Sequence, residues 1–185
     1  MPRPPRAPDP PLPGTPQAHR FAPSTAAGTG GGMRREPVIR PAIAADRPAI
    51  ERLVLTVVRE VYGHLFKGEV PGPEGNWARA LVAEKRGRIV GVVVAADDWI
   101  EDLWVARDHR GRGLGSRLLA AGERKVAAQG HAVAHLRVAA DNERARRFYV
   151  ARGWAETDAY PHERWGFMML DLIKPLAPAG AAGAP

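Results

Sequence analysis

The chain has 185 residues, with 27 Lys and Arg against 20 Asp and Glu, a formal net charge of +7 and no cysteine. That length holds one domain with a full core. The missing cysteines exclude disulfides, thiolate metal sites and any enzyme that carries its substrate on a cysteine sulfur, while the positive balance favours an anionic partner: nucleic acid, a membrane surface or a polyphosphate cofactor.

No run approaches the ~18 apolar residues needed to cross a bilayer, and the N-terminus lacks the apolar core of a secretion signal. A soluble, cytoplasmic protein is expected. Ten of the 18 prolines fall in residues 1–37, and Ser24–Gly32 reads STAAGTGGG. Such sequence has little apolar surface to offset its ordering entropy, so residues 1–35 are expected to be a disordered extension. Met33 opens MRREPVIRPA, which resembles an authentic beginning. The APAGAAGAP ending makes residues 176–185 a flexible tail. The folded domain is therefore expected over residues 36–175.

Along that domain, PVIRPA (Pro37–Ala42) reads as a first strand. A helix follows, with Asp46 as N-cap, Pro48 in its first turn and Gly63 as its stop. Ile50, Leu53, Val54, Val57, Val58 and Val61 recur in it at helical spacing. After a loop and a short helical stretch around Trp77, two β-rich runs joined at Arg86-Gly87 predict a hairpin. WIEDLWVAR supplies the next strand, from Trp99 to about Ala106. A helix is expected from Gly113 to Gln129, with Leu114, Leu118, Leu119 and Val126 on one side and Gly130 ending it. HAVAHLRVA is a strand, NERARRFYVARG a short helix, and strands near Trp154–Thr157 and Phe167–Ile173 close the domain. The order β-α-(α)-β-β-β-α-β-α-β-β predicts a mixed α/β sheet.

The joint between the Trp99 strand and its helix reads Arg110-Gly111-Arg112-Gly113-Leu114-Gly115-Ser116. Glycines let a ligand lie against the peptide N–H groups, and a helix start adds unpaired donors and the positive end of a dipole. Phosphate is the usual guest. A Walker A loop would need Gly-Lys-Ser/Thr, and no lysine is present. A dinucleotide fingerprint would need Gly or Ala where Ser116 stands, and an acidic residue ending a strand about 20 residues later.

The loop instead fits Arg/Gln-x-x-Gly-x-Gly/Ala, preceded by IEDLWV and followed by Asn142 and ARRFYVARGW. This combination resembles the GNAT superfamily of acyl-CoA-dependent N-acyltransferases, most sharply between Trp99 and Trp154. WIEDLWVARDHRGRGLGSRLL is locally similar to the spermidine/spermine acetyltransferases. The resemblance implies a mixed, mostly antiparallel sheet flanked by helices, in which a central strand pair splays apart. It also implies acetyl-CoA as acyl donor, with no metal. The pantetheine arm would lie along the backbone of Leu103, Trp104 and Val105. The N–H groups from Arg110 through Gly111, Arg112, Gly113, Leu114 and Gly115 to Ser116 would cradle the pyrophosphate, helped by the Arg110 and Arg112 side chains. Asn142 matches the residue that bonds the cofactor arm, with Ala145 nearby.

For the chemistry, Glu101 is the expected base, because it stands at the mouth of the strand that would hold the thioester. Asp102, on the other side of that strand by alternation, is the second choice and a substrate-binding residue. A backbone N–H at Val105 or a neighbour would steady the oxyanion. Tyr149 matches the family's general acid. With no cysteine, direct attack of a primary amine in a ternary complex is the expected route. The partner is a small-molecule or peptide amine, with no membrane and with a homodimer allowed. A catalytically inactive CoA-binding module of the same fold is the alternative, with Glu101 and Tyr149 arguing against it. A basic nucleic-acid-binding domain is disfavoured, because the aromatics form no stacking series among basic residues. Tyr62, Phe66, Tyr160 and Trp165 either line an acceptor pocket or plug the sheet ends.

Overall fold

The computed structural model describes residues 36–66, 68–70, 72, 73 and 75–177. The expected extension lies outside the described residues, as does the expected tail beyond residue 177. The elements run β1 (Val38–Pro41), α1 (Arg47–Tyr62), β2 (Ala80–Lys85), β3 (Arg88–Ala96), β4 (Trp99–Val105), α2 (Leu114–Ala128), β5 (Val133–Ala139), α3 (Glu143–Val150), β6 (Ala155–Pro161) and β7 (Met168–Pro175). The stretch around Trp77 is one 3-10 turn, Trp77–Arg79. Among the described residues, no helix is long and apolar enough to cross a membrane.

The seven strands form one sheet in the order β1-β2-β3-β4-β5-β7-β6. Every neighbouring pair is antiparallel except β4 and β5. That parallel pair meets only at Trp99 with His135 and Ile100 with Leu136. Beyond Ile100 the two strands part, and β4 runs on to Val105 while β5 runs on to Ala139. The expected splayed strand pair is present.

Helical periodicity decides which face each helix covers. Ile50, Leu53, Val54 and Val57 of α1 pack on Val82, Val92 and Val94. On the opposite face, Leu114, Leu118, Leu119 and Val126 of α2 pack with Tyr149 of α3 on Val93, Ala95, Ile100, Leu136 and Leu172. Alternation along β3 feeds both cores at once. Helix α2 comes close to the sheet at Gly122, where a Cβ would stand 2.9 Å from Ile100 Cδ1. Asp46 sits at the N-cap position of α1, yet its carboxylate points backward. It accepts from the Ile43 N–H at 2.9 Å and pairs with Arg40 at 2.7 Å. Asn142 caps α3 by accepting from the Ala145 N–H at 3.1 Å.

Candidate active site

The register of β3 with β4 jumps from Val94–Asp102 to Ala95–Ile100, so Glu101 has no partner and forms a β-bulge. A bulge inserts one residue and resets the alternation of side chains. Ile100 and Leu103, three residues apart, accordingly pack into the same core under α2. Asp102 is half-buried, whereas Glu101 is exposed at the point where β4 and β5 begin to part. The simple alternation expected along this strand is thus interrupted at the residue singled out as the base.

Asp102 sits in a small polar network. The Trp104 indole N–H donates to its Oδ1 at 2.8 Å. Loss of water around Asp102 pushes its carboxyl up to about 6; the indole hydrogen bond pulls against that, and the Glu101 charge adds to it. Tyr62, the last residue of α1, meets the Trp104 ring edge-on, with centroids 6.1 Å apart. The Tyr62 hydroxyl accepts from the Asn142 side-chain amide at 2.7 Å, joining α1 to the start of α3. Tyr149 is 9% exposed. Burial first, then Tyr62 and Asp102 nearby, hold its hydroxyl well above the usual phenol range. Trp104 links Asp102 to Tyr62, and Tyr149 lies close enough to both to feel their charge. A cavity of about 270 Å³ opens at the Tyr62–Asn142 bond, lined by Tyr62, His64, Leu65, Asn142 and Arg144 among others.

The glycine loop lies at the far end of β4. Gly111 and Gly113 have φ of +71° and +79°, a conformation that side chains with a Cβ rarely adopt. Gly113 is the N-cap of α2. Among the described residues, none accepts from the backbone N–H groups of residues 111–116, which therefore form a run of free donors at a helix start. Leu114 is buried, and Gly115 lies under the Phe148 ring, where a Cβ would stand 3.4 Å from Cε2. The Ser116 hydroxyl accepts from Arg152 Nε at 3.0 Å and Nη2 at 2.6 Å. Arg112 is exposed.

Arg110 departs from the expectation of a phosphate-facing side chain. Its Nε donates to the Val105 carbonyl at 2.8 Å, and its two terminal nitrogens fork onto Glu60 at 3.0 and 3.1 Å. Its own N–H donates to the Arg107 carbonyl at 3.2 Å. Leu103 and Val105 pack their side chains on the α2 core, as does Ala145. Glu60, on the polar face of α1, carries no signal in the sequence that would identify its partner 50 residues away. The bond of Tyr62 to Asn142 spans 80 residues and is equally unmarked.

On the side of the expected acceptor, Phe66 meets Trp165 edge-on at 5.0 Å and Phe167 at 6.0 Å. This bridges the segment after α1 to the β6–β7 connection. Tyr160 stands apart from that group and donates its hydroxyl to Asp171 Oδ1 at 2.7 Å. No three His, Asp or Glu side chains among the described residues converge to hold a metal ion.

No curated protein matches the sequence. Solved structures share the fold. A GCN5-related N-acetyltransferase from Rhodopseudomonas palustris superposes with a TM-score of 0.62 at 19% identity, covering 80% of this chain and 100% of that one. A ribosomal-protein-alanine N-acetyltransferase from Brucella melitensis gives 0.60 at 22% identity, covering 75% and 99%. An Arabidopsis thaliana protein in complex with the bisubstrate analogue CoA-Ac-MVNAL gives 0.59 at 20% identity, covering 77% and 100%. The model of the acetyltransferase (GNAT) family matches residues 50–154, from the first turn of α1 to the residue after Gly153, and so takes in the strand split, the glycine loop, Asp102 and Tyr149. The chain belongs to the GNAT acetyltransferase family.

Proposed function

We propose that this protein transfers an acetyl group from acetyl-CoA to a primary amine by direct attack with both substrates bound. One observation carries the reading. The β4–β5 split has free amide donors of residues 111–116 at one end, with Asp102 on β4 and the buried Tyr149 of α3 within range of its charge. The donors suit a pyrophosphate, and the unpaired edge of β4 at Leu103–Val105 suits an extended amide-bearing arm. A β4 backbone N–H at Val105 or a neighbour is assigned to the oxyanion.

An alkylamine near pKa ~10.4 is almost wholly protonated at pH 7, and its proton must leave as the new bond forms. Between the two carboxylates, burial and the Trp104 hydrogen bond that orients it support Asp102 as the acceptor of that proton. Exposed Glu101, on the bulge at the mouth of the split, would draw the ammonium in. Tyr149 keeps its proton at neutral pH and would hand it to the departing thiolate. The aromatic contacts of Phe66 with Trp165 and Phe167 would wall the acceptor side with apolar rings, which suits a slender amine or a chain end as acceptor. Relatives of the same fold include a ribosomal-protein-alanine N-acetyltransferase and a complex with a CoA-linked peptide analogue, in keeping with that class.

The test is a panel of polyamines, arylalkylamines, aminoglycosides and peptide N-termini, scored by thiol release from acetyl-CoA. Tyr149→Phe should slow turnover on the best acceptor while acetyl-CoA still binds. Binding of acetyl-CoA without turnover on any amine would leave a CoA-binding module and overturn the transferase reading.

A further inference from the structure

The Trp104 side chain, on the strand whose backbone is assigned to the cofactor arm, donates its indole N–H to Asp102 Oδ1 at 2.8 Å. The indole is held from two directions. Tyr62 of α1 packs edge-on against it, at 86° between ring planes, and Tyr62 is itself tied to Asn142 at the head of α3. Past the bulge the β3–β4 register is regular from Asp102 to Val105, so ordinary alternation puts Asp102 and Trp104 on the same side of β4.

The geometry points to Trp104 as a positioning residue: its indole N–H, braced by Tyr62, holds the Asp102 carboxylate in the reaction cleft and favours its ionised form. A donor to a carboxylate stabilises the charged state and fixes the rotamer at once. The other influences on Asp102 work the opposite way: burial excludes water from it, and Glu101 on β4 adds like charge, while Tyr149 from α3 is near enough to be raised by the Asp102 charge. Trp104 thus supplies the identified interaction that opposes them. The inference rests on the proposal that Asp102 is the base.

Trp104→Phe removes the N–H and keeps an aromatic ring against Tyr62. Benzothienylalanine placed at position 104 removes the N–H while keeping the indole shape, and so separates the hydrogen bond from packing. Two readouts are taken on each protein. One is the acidic limb of kcat/KM against pH on the best amine; the other is the titration of the Asp102 side-chain carboxyl followed by carbon-13 NMR without substrate. Both should move up by about one pH unit in both variants. A midpoint and a limb that stay at the wild-type pH in the benzothienylalanine protein would overturn the inference. Asp102→Asn separates that failure from the failure of the reading beneath it. If the acidic limb survives Asp102→Asn, Asp102 is not the base; if the limb vanishes there but ignores both changes at position 104, only the role of Trp104 falls.

Discussion

Arg110→Ala distinguishes a phosphate ligand from an internal pin. The guanidinium is only 16% exposed and makes three donor contacts, one to the Val105 carbonyl and two to Glu60. A hydrogen bond from a charged donor contributes about 1.5–3 kcal/mol when its acceptor is shielded. The pair with Glu60, which is 31% exposed, adds about 0.2–1 kcal/mol after solvent screening. Water reaches part of the vacated space, so the loss should be about 2–3 kcal/mol. For a domain of this size that lowers Tm by about 6–10 °C. The assay pairs thermal unfolding with calorimetric titration of CoA. The expected result is a large fall in Tm with a Kd for CoA changed by less than about threefold, since the free donors of residues 111–116 remain. A Tm within about 2 °C of wild type together with a Kd weakened more than about tenfold would refute the pin, because tenfold equals about 1.4 kcal/mol taken from the ligand alone.

Gly113→Asp should abolish the rise in Tm that acetyl-CoA produces by mass action, about 2.7 kcal/mol of stabilisation at a hundredfold excess over Kd. It puts a carboxylate among the free N–H donors, while Gly113→Ala imposes the same strain at φ +79° without the charge and should keep part of the rise. Asp102→Asn should stabilise the fold at pH 7–8 by on the order of 2 kcal/mol and do little near pH 4. The sign follows from the raised pKa: between about 4 and about 6 the native state holds a proton that the unfolded chain has lost, so wild-type stability falls as pH rises through that window, and asparagine has no such loss. Urea unfolding of both proteins at several pH values checks it, and a difference that does not grow with pH would contradict it.

Element order was legible in the chain because each element is written in local terms. The spacing of Ile50, Leu53, Val54 and Val57 shows a helix face, Arg86-Gly87 shows a hairpin turn, and the glycines at 111, 113 and 115 show a backbone that must pass close to something. The same local grammar carried the family pattern from Trp99 to Trp154, and with it Asn142, Tyr149 and Glu101, with Asp102 as second choice for the base. What it could not carry is which atoms those residues meet. The bulge at Glu101 shows only in the pairing of β4 with β3, and it shifts the alternation at the two neighbouring acids. Arg110 reads from its motif as a phosphate ligand, yet its guanidinium is captured by Glu60, 50 residues earlier. Periodicity reports the exposure of an average side chain on a face. Titration and hydrogen bonding depend on the few atoms within about 3 Å and on the water they displace, and those neighbours are supplied by distant segments only when the chain has folded.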